Sequence, residues 1–525
     1  MGSPSSEHVR RTGTTGIGQT GIGQTGLGQS EVTDVVIVGS RCAGAPLSAL
    51  LSLAGIRVTV LEQARFPKPV LSSHLMEADA LDFLRRLGVE DALRATGIRP
   101  HQIADIRLND VRFKQPFPLR FDDLGGSVFL RRHLLDDIVA QRAVEVGADI
   151  RMGAKVVDLL WDDNKRVCGV RVREGEKEYD IRAQLVVGAD GRNSSVANLV
   201  GSRKYNIIPN ERSYYFTFFE GADESIMDTF VFHRFGDRML WSGSGDNGLY
   251  LVGVSPESHE REYFRTETEK GLLAHMRACD AIADGLANAR IATKIAGIRS
   301  FEGYYRQAAG PGWILVGDSG HFKDPALGRG IGDAFQQAQD AAEAIIEGLP
   351  HGSERLDANL ARWWVARDAF FEGHSWLAAN LGRAGAIPAA VTEAVRIRQM
   401  SGDLTPFFDL FCHRTRYDDV FSLRKLTMAA MSAVRHSDSP GPVLRESMTQ
   451  LLREPVRRWR RRPSQLVPAE LSPAMPVTVL AEPAEKTSGD NVPLPSSTES
   501  TEIIPMNKDT PTPSDVTTEL SEVTA

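Results

Sequence analysis

Residues 33–62 read TDVVIVGSRCAGAPLSALLSLAGIRVTVLE, and the order of residue types along them decides the fold class. Asp34 to Val38 is a short β-branched run, too brief for a helix and suited to a buried parallel strand. Gly39 and Gly44 take the first and third glycine positions of a G-x-G-x-x-G turn, one for the tight bend and one for packing helix on strand. Ala45 to Ala54 has helical composition, with Pro46 tolerated in its first turn, and Gly55 stops it. Arg57 to Leu61 makes a second strand. Glu62 closes that strand at the spacing where such units set an acid against a ribose hydroxyl. The unit offers a helix N-terminus to a pyrophosphate. Arg41 stands where the middle glycine belongs, so either its side chain turns outward or its guanidinium grips a phosphate. The alternative is an ordinary βαβ turn of some other α/β protein.

Two later stretches repeat the theme of an apolar strand ending in glycine and an acid. Gln184 to Gly201 reads QLVVGADGRNSSVANLVG. Its strand, Leu185 to Val187, runs into Asp190-Gly191 and a helix begins after Ser194. This is a phosphate- or ribose-binding shape, or simply a helix capped by Asn193 or Ser194. Trp313 to Gly317 is another strand, and it leads into GDSGHFKDPALGRGIG. Asp318 falls at the strand's carboxyl end, where open α/β sheets bind ligands. Gly328, Gly330 and Gly332 precede a helix expected over 333–347, whose N-terminus can point bare N–H groups at an anionic atom.

Between these corners, Phe66 to His74 is a proline-broken loop, and Glu77 to Leu87 is an amphipathic helix stopped by Gly88. Val128 to Ala148 passes from strand to helix at Arg131-Arg132. Segments 156–161, 167–173 and 178–185 read as a β-meander. From Tyr205 to Ser300 the periodicity is two, with strands expected over 213–220, 229–233, 239–242 and 249–254, and a helix over 260–278. Tyr214, Tyr215, Phe216, Phe218, Phe219, Phe230 and Phe232 load this sheet with rings, either as plain core or as one wall of a pocket. Beyond Gly352, segments 356–371, 375–381, 389–399 and 423–434 are helical in pattern. Lys323 and Asp324 are expected to pair at the surface.

The 525 residues suffice for two or three domains. Hydrophobic content of 42% and charged content of 25% suit a globular protein, and the formal charge of −7 gives no sign of a nucleic-acid partner. Cys42, Cys168, Cys279 and Cys412 show no metal spacing, so free thiols in a reducing compartment and a cytoplasmic location are expected. No apolar run reaches membrane-spanning length. The leader to residue 31 carries a Gly/Gln repeat, TGIGQTGIGQTGLGQ, without the apolar core of a signal peptide. Arg453 to Arg462, REPVRRWRRR, is a basic run suited to a membrane surface or acidic partner, or to a solvated helix end. The Pro/Ser/Thr/Glu-rich tail from Pro463 is expected to be disordered.

GSRCAG with Glu62, then GADGRNSSV, then GDSGHFKDPALGRGIG, in that order, resemble the flavoprotein hydroxylases typified by para-hydroxybenzoate hydroxylase. They are also similar to geranylgeranyl-reductase-type flavoproteins and to actinobacterial FAD-dependent oxidoreductases. The resemblance covers roughly residues 33–349. It implies an α/β fold: a Rossmann-like FAD-binding domain (32–202 and 301–350), an inserted mixed β-sheet substrate domain (203–300) and a C-terminal helical extension (351–450), with 451–525 left as basic run and tail. It further implies that Gly39, Gly44 and Glu62 hold the ADP half of FAD and that Arg132 reaches the cofactor's phosphate region; Arg41, the departure in the turn, counts as cofactor-binding where its guanidinium grips a phosphate. Asp190-Gly191 would serve flavin and NAD(P)H contact, and Asp318 of Gly317-Asp318 would hold the ribityl chain. His321, Pro325 and Gly330 match family positions by spacing. The pattern departs at Gly332, where asparagine is usual, and at Gln337-Ala338, where Asp-Ala is usual.

By the same resemblance the chemistry is monooxygenation of a small organic substrate, aromatic or from secondary metabolism. FAD would take hydride from NAD(P)H and react with dioxygen through a flavin C4a-hydroperoxide. His321 and His74, both in loops near cofactor elements, are the candidates for proton transfer. The rivals are an FAD-dependent alkene or prenyl reductase, a halogenase (no Trp-x-Trp-x-Ile-Pro stretch is present) and a non-catalytic relative. Substrate identity and oligomeric state are not legible.

Overall fold

The computed structural model describes residues 31–65, 70–120 and 122–460, with side chains to Leu452 except that of Gln450. The expected leader, Phe66 to Pro69 of the proline loop, the side chains of the basic run and the tail lie outside the described residues.

The strand Val35–Val38 is fully buried and lies between Leu185–Gly188 and Val58–Glu62, all parallel. Asp149–Met152 extends the sheet on one side and Trp313–Leu315 on the other, with Ala309–Gly310 antiparallel at that edge. Burial on both faces explains why Val35–Val38 and Leu185–Gly188 are continuously apolar rather than alternating. Val38 pairs with Gly188 and Gly188 with Leu315. Adjacent strands are about 4.8 Å apart, so the loops that begin at Gly39, Ala189 and Val316 leave the sheet side by side. Helices Gly44–Leu53 and Gly330–Gly348 pack on one another against this sheet. The latter begins at Gly330, earlier than expected, so its free N–H groups belong to the glycine segment itself.

The meander forms as expected, with strands Ala154–Trp161, Val167–Glu174 and Lys177–Arg182. The second large sheet runs Arg290–Ile291, Tyr214–Glu220, Tyr250–Ser255, Arg238–Ser244, Thr229–Phe235, Ile103–Leu108, Val111–Pro116. Its last two strands come from far upstream of residue 203. The hairpin Ile103–Pro116 joins it through a parallel pairing of Ile103–Leu108 with Thr229–Phe235. Asn109, at φ +54°, makes the two-residue turn with Asp110; this Asn-Asp turn between alternating runs is a hairpin signal.

The helix expected over 260–278 is broken at Glu267 into Arg261–Thr266 and Thr268–Arg277. The two segments expected over 356–381 form one 29-residue helix, Ser353–Leu381. The chain just beyond its C-terminus is gripped by two buried arginines, Arg234 of the second sheet and Arg212 in the loop before the strand Tyr214–Glu220. Arg212 Nε and Arg234 Nη2 both donate to the Arg383 carbonyl, at 2.9 and 3.1 Å, and Arg234 Nε reaches the Leu381 carbonyl at 3.4 Å, an acceptor that the helix end leaves open. Asn109 Nδ2 also donates to the Ile387 carbonyl and to Thr392 Oγ1. The helical extension is thereby fastened across the second sheet.

Candidate active site

Gly39 sits at φ +97°, and a Cβ there would lie 2.5 Å from the Ala189 carbonyl oxygen. At Gly44 it would lie 1.8 Å from the Gly39 carbonyl, and at Gly317 2.9 Å from Ala43 Cβ. The three glycine corners are thus in contact, and each glycine is required by its neighbour's position. Gly44 and Gly317 pack the corner rather than line the space beside it. Gly332 does likewise, since its Cβ would meet the Arg329 guanidinium at 2.6 Å.

A cavity of about 570 Å³ opens from this corner. Gly39, Arg41, Glu62, Arg132, Asp190, Gly191, Asp318, His321, Pro325 and Gly330 all line it. Glu62 accepts N–H bonds from Ser40 and Ala64, at 3.2 and 2.9 Å, which fixes its carboxylate at the strand end. Arg41 reaches between Glu62 (3.8 Å) and Asp136 (3.9 Å), so the residue in the middle-glycine position lies along the wall as a cation. Arg132 is held by Asp136, with Nε and Nη2 donating at 3.0 and 2.9 Å. Asp190 turns one oxygen back to cap the helix Ser195–Leu199, accepting from Ser195 N and Oγ at 2.7 Å each; its other oxygen is buried without a hydrogen-bond partner. Burial pushes Asp318 up to about 6 against the pull of Arg192 and Arg132.

His74 does not line the cavity. It is buried at φ +59° with its ring against Phe216 and Phe218, and Nδ1 accepts the Arg132 N–H at 3.2 Å. Burial lowers its pKa to about 3, so at neutral pH it is an uncharged packing residue, and the expectation that it transfers protons is corrected here. His321 does face the cavity, with Nε2 2.9 Å from Ser375 Oγ and Tyr305 Oη donating to the same hydroxyl at 2.8 Å.

Lys323 and Asp324 do not pair and are not at the surface. Asp324 accepts from Tyr214 Oη at 2.6 Å and caps the turn at Ala326 N. Lys323 is ion-paired with Asp333 in the first turn of the glycine-led helix, and both line the cavity. Behind them Arg329 bridges Glu77 (2.7 Å) and Asp79 (2.8 Å), and His413 Nε2 lies 3.2 Å from Asp333. Burial pushes Glu77 up to about 8 despite Arg329. Single-sequence reading missed this network. Its only local signal was the density of charge in KDPALGRGIGD, and its partners come from distant segments.

The far end of the cavity is aromatic. Tyr214, Phe216, Phe230, Phe232 and Trp241 line it from the second sheet. Tyr215 and Phe219, one residue out of step, face the opposite side and pack in the core with Phe264. Strand alternation therefore divides the rings between pocket and core. The helical extension supplies Phe407, Phe408, Phe411 and Cys412 from the helix Thr405–Phe411 and the residue after it, and so covers the chamber.

The chain belongs to the FAD-binding domain family: residues 32–360 match the family described as FAD binding domain. Among its relatives is 6-methylpretetramide 4-monooxygenase of Streptomyces rimosus, 28% identical over 354 residues that cover 63% of this chain and 80% of that protein. Another is the digeranylgeranylglycerophospholipid reductase of Methanosarcina acetivorans, 24% identical over 348 residues covering 64% of this chain and 81% of that protein. The flavin-dependent brominase Bmp2 shares the fold at a TM-score of 0.61 and 18% identity, over 77% of this chain and 100% of that one. The chain is an FAD-dependent oxidoreductase. Its residues fit that cofactor: space is open beside Gly191 and Gly330, where an added Cβ would meet nothing within 4 Å, and Asp190, which lines the same cavity, keeps one oxygen without a hydrogen-bond partner among the described residues.

Proposed function

We propose that this protein is an NAD(P)H-dependent FAD monooxygenase acting on a small aromatic or secondary-metabolite substrate. One observation carries the reading. A single cavity runs from Gly39 and Glu62, through Asp318 and Gly330, to a chamber walled by aromatic rings and roofed by the helix Thr405–Phe411. In this reading Gly39, Arg41 and Glu62 hold the adenosine end and Arg132 the phosphates, Asp190 and Gly191 serve flavin and NAD(P)H contact, and Asp318 holds the ribityl chain, while Gly44 and Gly317 pack the corner behind them. Pro325 and Gly330 shape the flavin seat, and Gly332 packs behind it on Arg329. Bound FAD supplies hydride acceptance and oxygen activation.

The chain's own residues do the rest. The N–H groups at Gly330 and Ile331 stabilise negative charge at the N-terminus of the glycine-led helix. The aromatic roof excludes water, which an oxygen-transferring site requires. His321 is the group positioned to hold or move a proton, with the Ser375 hydroxyl behind it.

A second reading is alkene or prenyl reduction without oxygen, favoured by the reductase relative and by the aromatic rings that wall the chamber. Purified protein should be yellow and should bleach with NADPH or NADH. Substrate-dependent oxygen consumption with an oxygenated product supports the monooxygenase. Bleaching followed by alkene saturation with no oxygen uptake supports the reductase and overturns it.

A further inference from the structure

Exposed apolar side chains are not spread evenly over this molecule. Of seventeen exposed large hydrophobic residues among the described ones, eight fall in the 56 residues from Ile397 to Leu452. Met400 is 80% exposed, Leu452 68% and Met431 63%. The helix Leu423–Arg435 packs on both Ala389–Met400 and Pro440–Arg460, so these side chains belong to one outer helical layer. Leu444, Met448 and Leu452 recur at intervals of four and form one stripe. Scattered exposed hydrophobics need no explanation, whereas a concentration marks a docking face.

The charge of the same segment is equally uneven. Leu423 to Arg462 carries ten Lys/Arg against three Asp/Glu, a surplus of seven in a chain whose formal charge is −7. The remainder therefore stands at −14. Trp459 lies within the basic run. An apolar stripe followed in the sequence by a run of arginines and a tryptophan, on a helix too polar to cross a bilayer, has the composition of an interfacial element. Among the described residues no helix is long and apolar enough to span a membrane.

We infer that the exposed apolar side chains of the helix Leu423–Arg435 and of Leu444, Met448 and Leu452, together with the basic run that follows them in the sequence, dock on an anionic lipid surface. A second copy of the chain is a poorer occupant, because a two-fold contact would set seven surplus positive charges against seven. This inference stands apart from the reaction proposed above.

The test is co-sedimentation of the full chain with vesicles of phosphatidylcholine alone and of phosphatidylcholine mixed with phosphatidylglycerol. Binding to the mixed vesicles only, weakening steeply with added salt, is expected. Each arginine near the surface is worth roughly a fivefold change in partition. Replacing Arg457, Arg458 and Arg460 by Gln should therefore weaken binding about a hundredfold, and Met448→Glu with Leu452→Glu should weaken it by about tenfold or more. Flavin content and circular dichroism monitor folding of the variants, and the salt titration of the unmodified chain needs no variant. The inference is overturned by failure to bind mixed vesicles, or by binding that neither variant changes. It is equally overturned by a homodimer that Met448→Glu dissociates, or by crosslinks from the acidic 463–525 segment onto this face without vesicle binding.

Discussion

Lys323 and Asp333 form an ion pair whose two members are both buried and both line the cavity, at the first turn of the helix Gly330–Gly348. Burial lowers the Lys323 pKa while Asp333 supports its charge. Breaking one side of such a pair leaves a buried charge uncompensated. Lys323→Met should cost about 3–5 kcal/mol in denaturant unfolding. The double variant Lys323→Met/Asp333→Asn should recover most of that stability but not turnover. Recovery of both would reduce the pair to a structural device.

The contact between Gly39 and Ala189 predicts a split between two glycine variants. Gly39→Ala forces a Cβ to within 2.5 Å of a carbonyl oxygen at φ +97°, so the chain should purify colourless and less stable. Gly330→Ala meets nothing and should fold normally, losing only flavin affinity. The ratio of visible to ultraviolet absorbance and the melting temperature separate the two outcomes.

Asp318 yields a pH prediction. Its pKa stands near 6 in the folded chain against an ordinary 3.8 for an aspartate carboxyl. Between those values the folded state carries the extra proton, so stability falls as pH rises through that window and the penalty is complete above about 6. Flavin-free Asp318→Asn should therefore melt higher than the parent at neutral pH. The gap should close toward pH 4, and FAD affinity should drop. A gap that widens on acidification contradicts the assignment.

The two histidines should behave differently. Asn tolerates a left-handed φ and can accept the Arg132 N–H, so His74→Asn should leave kcat within about threefold and its pH profile unmoved. His321→Asn should lower kcat by about a hundredfold. Equal losses in the two would place proton transfer elsewhere.

Phe411, from the covering helix, lines the cavity and packs on Phe407 with centroids 5.0 Å apart. Phe411→Ala should cost roughly 2 kcal/mol of stability. It should raise KM more than it lowers kcat, because the ring contributes binding shared by ground and transition states. An unchanged KM would mean that the helix covers the chamber without touching substrate.

Much of the fold is legible in the sequence because its signals are local. The βαβ unit of residues 33–62, the meander and the four central strands of the second sheet follow from periodicities of two and 3.6 and from glycine at turns. The hairpin Ile103–Pro116 is absent from the sequence-based expectations although its alternation and Asn109-Asp110 turn are present. The helix Thr405–Phe411 is absent too, its seven residues being too few for a periodic pattern.

By itself, the sequence determined that this chain has three strand-end corners of glycine and acid, and therefore a dinucleotide fold. Tertiary structure alone decided that those corners touch, because strand order in a sheet is set by packing between distant segments. It also decided that His74 faces away and His321 inward, and that Lys323 pairs with Asp333 rather than Asp324. The same holds for the roof that a remote helix lays over the aromatic chamber. Side-chain partnerships among residues hundreds of positions apart leave no periodic trace in the chain, and they exist only once the core has brought their backbones together.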